Sequence, residues 1–296
     1  MRIGVGLLLA LLIAVPPARG DEIKLATWNL DWLTTRPPGD PALPPDVAPR
    51  RAEDIAALRA IAGRLDADVV AIEEVDGGQA AAAVFPPERY AVFMTADQVV
   101  QRVGFAVRRG LQVTPHPDLA ALDVYPPTAR AHLRRGADIT LDLPAGQLRL
   151  LAVHLKAGCR SDLLAESRRP ACRVLGEQAR VVQAWVAARA GAGEAFVVIG
   201  DFNRRVEADD DFTAALAGAT PLTEATAGRA SPCWGGEPFI DRILLGGAAR
   251  RWLEPESLRV LVYHAADRNA RQRLSDHCPV SVRLTIAAAP NGADKP

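Results

Sequence analysis

The run Ala195-Phe196-Val197-Val198-Ile199-Gly200 is apolar without interruption, and Asp201-Phe202-Asn203 follows it directly. Five apolar residues closed by a glycine are too few for a helix and lack the polar alternate of a half-exposed strand, so the segment reads as a strand buried on both faces. Such a strand needs apolar layers above and below it. It also presents an acid and an amide at the end of a rigid element, where side chains can face a shared cleft.

The rest of the chain supplies those layers. Residues 23–30 read as a strand, 36–49 as a Pro-rich loop, 51–65 as a helix with Ile55, Leu58, Ile61 and Leu65 near helical period, and 68–75 as a short apolar strand. Residues 90–95 and 104–108 look paired, with a turn at Gly110 and another strand start at 112–114. Residues 137–143 and 148–154 flank Pro144-Ala145-Gly146, which suits a hairpin. Residues 173–190 form a helix whose inward stripe is Val174, Val181, Val182, Trp185 and Val186, and 239–245 and 279–286 complete the strands. No internal repeat or long linker divides the chain. The expected fold is α/β: two mixed β-sheets packed as a sandwich, helices on their outer faces, in one domain over residues 21–286.

Residues 1–20 stand apart. Arg2 precedes an apolar run over 4–15 and small residues ending at Gly20, the pattern of a secretory signal peptide cleaved after Gly20. The run is shorter than the roughly 20 residues that span a bilayer, so no stable membrane insertion is expected. A secreted or periplasmic protein follows. Cleavage leaves 33 basic against 35 acidic residues, so bulk charge does not recruit polyanions. Residues 287–296, small and polar, read as a disordered tail.

In an exported chain the four cysteines suggest disulfides. Cys159 and Cys172 flank a polar segment between strand and helix and are the favoured pair. Cys233 with Cys278 is left by elimination, though Cys278 could equally be a buried free thiol.

Several polar residues interrupt or end apolar strands: Asn29 in Thr27-Trp28-Asn29, Glu74 in Ile72-Glu73-Glu74, His154 after Ala152-Val153, Asp241 in Ile240-Asp241-Arg242, and Asp276-His277 before Cys278-Pro279. Left unpaired, they are costly to bury. An extended backbone over Asp201-Phe202-Asn203 would put acid and amide on one side and Phe202 on the other. An acid at 241 wants a partner, and His277 can supply it.

In this order and spacing, the motifs resemble the endonuclease/exonuclease/phosphatase superfamily, which includes deoxyribonuclease I, neutral sphingomyelinases and inositol polyphosphate 5-phosphatases. The resemblance implies a deoxyribonuclease I-like fold and a Mg²⁺-dependent phosphodiester hydrolase, with Mn²⁺ or Ca²⁺ as alternative ions. It assigns metal binding to Asn29, Glu74 and Asp276, phosphate contact to His154, the general base to Asp201, phosphate orientation to Asn203, and charge stabilisation to His277 supported by Asp241. Where many members carry Gln-Glu this chain has Glu73-Glu74, so a shift of one residue would exchange those two acids. The acid supporting His154 has no distinct match; Asp97 is one candidate.

The substrate is less constrained. Arg204 and Arg205 follow Asn203 and could hold neighbouring phosphates, while the pairs Arg134-Arg135 and Arg168-Arg169 read equally well as solvated charge. With aromatics only 5% of the chain and no apolar hairpin for lipid, a monomeric nuclease, an endonuclease, leads. A sphingomyelinase-like or general phosphodiesterase is the alternative, and an inactive binding protein of the same fold is the non-enzymatic one.

Overall fold

The computed structural model describes residues 21–205, 210–263 and 269–286. The expected signal peptide and tail lie outside them. The first half of the chain runs β1 (Asp21–Leu33), α1 (Ala52–Leu65), β2 (Val69–Val75), α2 (Gly77–Val84), β3 (Tyr90–Met94), β4 (Arg102–Arg108), β5 (Gln112–Pro115), β6 (Ala137–Leu143) and β7 (Gly146–His154). The second runs α3 (Pro170–Gly191), β8 (Phe196–Asp201), α4 (Asp211–Ala217), β9 (Leu222–Glu224), β10 (Ala230–Ser231), β11 (Glu237–Pro238), β12 (Asp241–Gly246), β13 (Arg259–Val260), α5 (Ala270–Arg273) and β14 (Val280–Ile286).

Two six-stranded sheets result, ordered β13-β14-β1-β2-β4-β3 and β5-β6-β7-β8-β12-β9. Both are mixed, as expected. In each, one parallel pair is joined through a helix: β1-α1-β2 in the first sheet and β7-α3-β8 in the second. The remaining neighbours are antiparallel, so the carboxyl ends of β1, β2, β7 and β8 share an edge with the amino ends of β12 and β14. In open α/β sheets ligands gather at such an edge.

The periodicity explains the packing. Leu25, Val69 and Phe105 of the first sheet meet Ile139, Leu150, Val197 and Ile199 of the second between the layers. Trp28, Leu30 and Ile72 face Leu58, Ile61 and Leu65 of α1 on the opposite side. Phe196 and Val198 turn outward against Val182 and Val186 of α3, so β8 is buried throughout. Each of its apolar side chains contributes about 1.5–3 kcal/mol by leaving water, which is why this strand cannot alternate with polar residues.

The elements missed from sequence are small: α2, α4, α5 and the short strands β9, β10, β11 and β13. Helix α3 begins at Pro170, ahead of the expected 173, as suits a proline in the first turn. Its stripe is also broader than expected, adding Leu175, Gln178 and Ala179, while Val174 and Val181 are only half-buried. Both expected disulfides are present, Cys159–Cys172 and Cys233–Cys278. Among the described residues no helix is long and apolar enough to cross a membrane.

Candidate active site

The shared edge opens into a cleft of about 350 Å³ lined by Asp31, Glu74, Arg134, His154, Asp201, Asn203, Asp276 and His277 among others. Residues far apart in sequence meet there because each ends or precedes a central strand. In register, His154 and Asp241 both lie beside Asp201. Gly200 makes that register feasible: at φ +143° its missing Cβ would lie 2.0 Å from the Val153 carbonyl oxygen.

Asp201 is the hub. Its Oδ1 accepts from the Asn203 backbone N at 2.7 Å, and its Oδ2 accepts from Asn29 Nδ2 at 3.1 Å and Asn203 Nδ2 at 3.2 Å. Burial, reinforced by the charge of Asp241, raises its pKa to about 7 against the opposing pull of His277 and of donors from Asn203 and Asn29. Acid and amide do share one side with Phe202 on the other, but not through an extended backbone. Asn203 is left-handed, at φ +52°, which curls it back onto Asp201, while Phe202 packs against Phe212. Both of its amide protons are engaged, by Asp201 and the Leu155 carbonyl.

The neighbouring acids at 73 and 74 are separated by a bulge. Alternation along β2 points Val69 and Ala71 between the sheets, and Glu73 continues that face. Glu74, at φ +58° where the pairing with both neighbouring strands slips, is re-aimed into the cleft. Its Oε1 accepts from Asn29 Nδ2 at 3.1 Å and lies 3.5 Å from His154 Nε2. Glu73 is wholly buried beneath, accepting from Thr27 Oγ1 at 2.9 Å, and burial holds its pKa well above the usual carboxylate range.

The two histidines carry different charge. His277 Nδ1 is 2.7 Å from Asp241 Oδ1, and Ser275 Oγ accepts from its backbone N at 3.0 Å while donating to the Asn29 carbonyl at 2.7 Å. Burial opposes its charge, but Asp241, Asp201 and Asp276 outweigh it and hold its pKa well above the ordinary imidazole value. His154 is neutral: burial, then Arg134 and His277, push its pKa well below. Its Nε2 lies 3.5 Å from Asp201 Oδ2, and its buried Nδ1 has no hydrogen-bond partner among the described residues. Asp97 is not that partner, since it accepts from the Arg135 backbone at 3.0 Å and pairs with Arg135 Nε at 3.1 Å.

The arginines are distributed otherwise than the sequence suggested. Arg204 is 1% exposed and turned away from the cleft, its guanidinium 2.7 and 2.9 Å from Asp210 and 2.6 Å from the Asp162 carbonyl. Arg205 pairs with Glu237. Arg134, whose pair reading was neutral, instead lines the cleft. Its buried Nε has no hydrogen-bond partner, and the charges of Glu74 and Asp201 offset part of its desolvation. Asp31, Trp32, Lys156, Arg160 and Trp234 also line the cleft and had no sequence signal. Trp234 sets its ring edgewise to His277 at 5.1 Å. Asp31, whose pKa burial raises to about 6 against the opposing charge of Arg50, pairs with Arg50 at 3.3 Å.

Glu74 and Asp276 offer hard carboxylate oxygens along one wall, while Asn29, 1% exposed, donates to Glu74 and accepts from the Asp31 backbone N at 2.9 Å through its Oδ1. Among the described residues no three acid, histidine or cysteine ligand atoms there lie within 4.8 Å of one another. This open set fits an ion that takes one or two protein carboxylates and completes its shell with water and phosphate, not a closed tetrahedral zinc site.

The sequence profile of the Endonuclease/Exonuclease/phosphatase family matches residues 26–277. No curated protein matches the chain. Among solved structures it is similar to D. rerio TDP2 complexed with single-strand DNA product, at 17% identity over 88% of this chain and 98% of that one, with a TM-score of 0.60. It is similar also to the 3'-5' exonuclease NExo of Neisseria meningitidis, at 17% identity over 88% and 99%, TM-score 0.59. The human Nocturnin catalytic domain with bound sulfate aligns at 16% identity over 90% and 95%, TM-score 0.55. At these identities the likeness carries the fold.

Proposed function

Because the chain belongs to the Endonuclease/Exonuclease/phosphatase family, we propose that it is an exported, Mg²⁺-dependent phosphodiesterase that hydrolyses nucleic acid. The observation that carries this reading is Asp201: a buried carboxylate with a pKa near 7, oriented by two amides and placed between a neutral and a charged imidazole. A base works best when its pKa lies near the working pH.

Asp201 takes the proton of a water that attacks phosphorus in line, and the phosphorus–oxygen bond to the leaving alkoxide breaks in the same step. Developing charge on the phosphoryl oxygens meets His277, His154 and Arg134, each preorganised donor being worth about 3 kcal/mol. Asn203 and Asn29 orient the base, and Asp241 keeps His277 charged. Glu74 and Asp276, with Asn29, would hold the metal, which when bound supplies Lewis-acid polarisation of the phosphate.

The test is to offer the mature protein duplex DNA, single-stranded DNA, RNA, sphingomyelin and bis-p-nitrophenyl phosphate, with Mg²⁺ or EDTA. Nucleic acid and the small diester should both be cleaved, and EDTA should abolish both activities. Strong sphingomyelin hydrolysis beside intact nucleic acid would replace the substrate, and no turnover at all would leave a binding protein. The exported protein should begin at Asp21 on N-terminal sequencing.

A further inference from the structure

We infer that the loop joining β7 to α3 forms a second anion subsite, built from Lys156 and Arg160, for the phosphate adjoining the one cleaved. The inference rests on the proposed hydrolysis and narrows its substrate to a polymer of phosphodiesters.

The cleft is polarised. Asp31, Glu74 and Asp276 occupy the wall contributed by the first sheet, whereas Lys156 and Arg160 occupy the wall contributed by the loop. A single phosphate bound over Asp201 needs neither loop cation. The acid wall is taken up by the metal it would hold, whereas the loop wall offers a neighbouring phosphate two cations. The Lys156 ammonium and the Arg160 guanidinium make no hydrogen bond or ion pair with any described residue, so their donors remain for a ligand.

An ordinary surface loop would leave such cations waving in solvent, but this one is framed at every step. Lys156 N donates to Gln178 Oε1 at 2.8 Å, and Gln178, fully buried, is itself held by the Leu122 carbonyl at 2.9 Å. Cys159 is bridged to Cys172 at the start of α3. Arg204 donates to the carbonyls of Cys159 and Asp162, on either side of Arg160, at 3.3 and 2.6 Å. Asp210 fixes Arg204 in turn while capping α4. The backbone N of Arg205 donates to the Arg160 carbonyl at 2.9 Å. The segment that carries the general base therefore also sets the position of Arg160, and Arg204 acts on substrate only through it. A framed backbone fixes where both side chains start, so binding an anion orders only their free ends and not the loop as well.

Arg160 is exposed, so its replacement tests the subsite without threatening the fold. Steady-state kinetics of the mature protein on a single-stranded DNA oligonucleotide and on bis-p-nitrophenyl phosphate separate the two sites. Arg160→Ala should raise KM for the oligonucleotide about tenfold, the worth of one charge-assisted contact, and lower its salt dependence by about one counterion. Its kcat, and both constants for the small diester, should stay as in wild type. Arg160→Lys should recover most of the KM, and Cys159→Ser/Cys172→Ser should reproduce the Arg160→Ala phenotype. Equal effects on both substrates, or none on either, would overturn the subsite while the hydrolase reading stands. A wild-type protein inert toward bis-p-nitrophenyl phosphate would overturn both.

Discussion

The two ends of the sandwich each hold a cluster of charged side chains, and they differ in how completely those charges are paired. At the end away from the cleft, Asp138 receives Arg149 through Nε at 2.5 Å and Nη2 at 2.9 Å, and Trp185 Nε1 at 2.9 Å. His116 Nε2 lies 2.8 Å from Thr140 Oγ1 and 2.6 Å from Arg149 Nη1, its pKa lowered by burial and by that arginine. This network borders a larger cavity, about 710 Å³, whose lining acid, Glu194, is ion-paired with Arg189 at 3.4 Å although its buried Oε2 makes no hydrogen bond with any described residue. At the cleft, Glu73 Oε2, His154 Nδ1, Arg134 Nε and Trp234 Nε1 are buried without hydrogen-bond partners among the described residues. A satisfied cluster holds a fold together, whereas an unsatisfied one keeps its interactions for something that arrives. Cavity size alone would have chosen the wrong end.

The comparison is broken most severely by moving each cluster toward the other's state. Asp201→Asn should lower kcat on bis-p-nitrophenyl phosphate by about 10²–10⁴-fold, the range of a lost general base, in a protein that still folds. Retained turnover in the folded variant would end the assignment of the base. At the other end, Asp138→Ala strands Arg149 and should cost about 3 kcal/mol in urea unfolding with kcat unchanged; an activity loss matching that of Asp201→Asn would erase the distinction between the ends.

Arg134→Met should lower kcat about 10²-fold, as for one preorganised donor, with little change in melting temperature. A change confined to KM would move Arg134 from stabilising charge to binding. The smallest effect is expected at Glu73. The raised pKa values of Asp201, Glu73 and His277 mean that the folded protein keeps protons that the unfolded chain releases near 3.8, 4.5 and 6.5. Stability in EDTA should therefore fall as pH rises above 6.5, and His154, neutral in both states there, should not oppose it. Glu73→Gln should keep activity and soften that alkaline decline in melting temperature. An unaltered decline would show that Glu73 is not held protonated.

Much of the cleft was legible because its residues sit where apolar periodicity stops. His154, Asp201, Asp241 and His277 each mark the end or beginning of a strand that sequence could locate. The exchange between Glu73 and Glu74 was not legible, because a bulge with a left-handed residue reverses what alternation dictates. Arg134 was indistinct from any other loop arginine, since its environment is made by Glu74 and Asp201, both remote in sequence. Arg204 pointed the wrong way for a related reason. Its neighbour in sequence is Asn203, but its nearest counter-charge is Asp210, which also caps α4.

Sequence by itself determined the doubly buried strand, the order of the motifs and the edge at which they would meet, because hydrophobic periodicity is a local property that survives without knowledge of the partner. Tertiary structure decided which acid enters the cleft, which arginine is clamp and which is cleft wall, and the protonation of each histidine. The first follows from the bulge at Glu74, the second from Asp210 beside Arg204 and from Glu74 and Asp201 beside Arg134, and the third from desolvation and charges a few ångströms away that sequence order does not reveal.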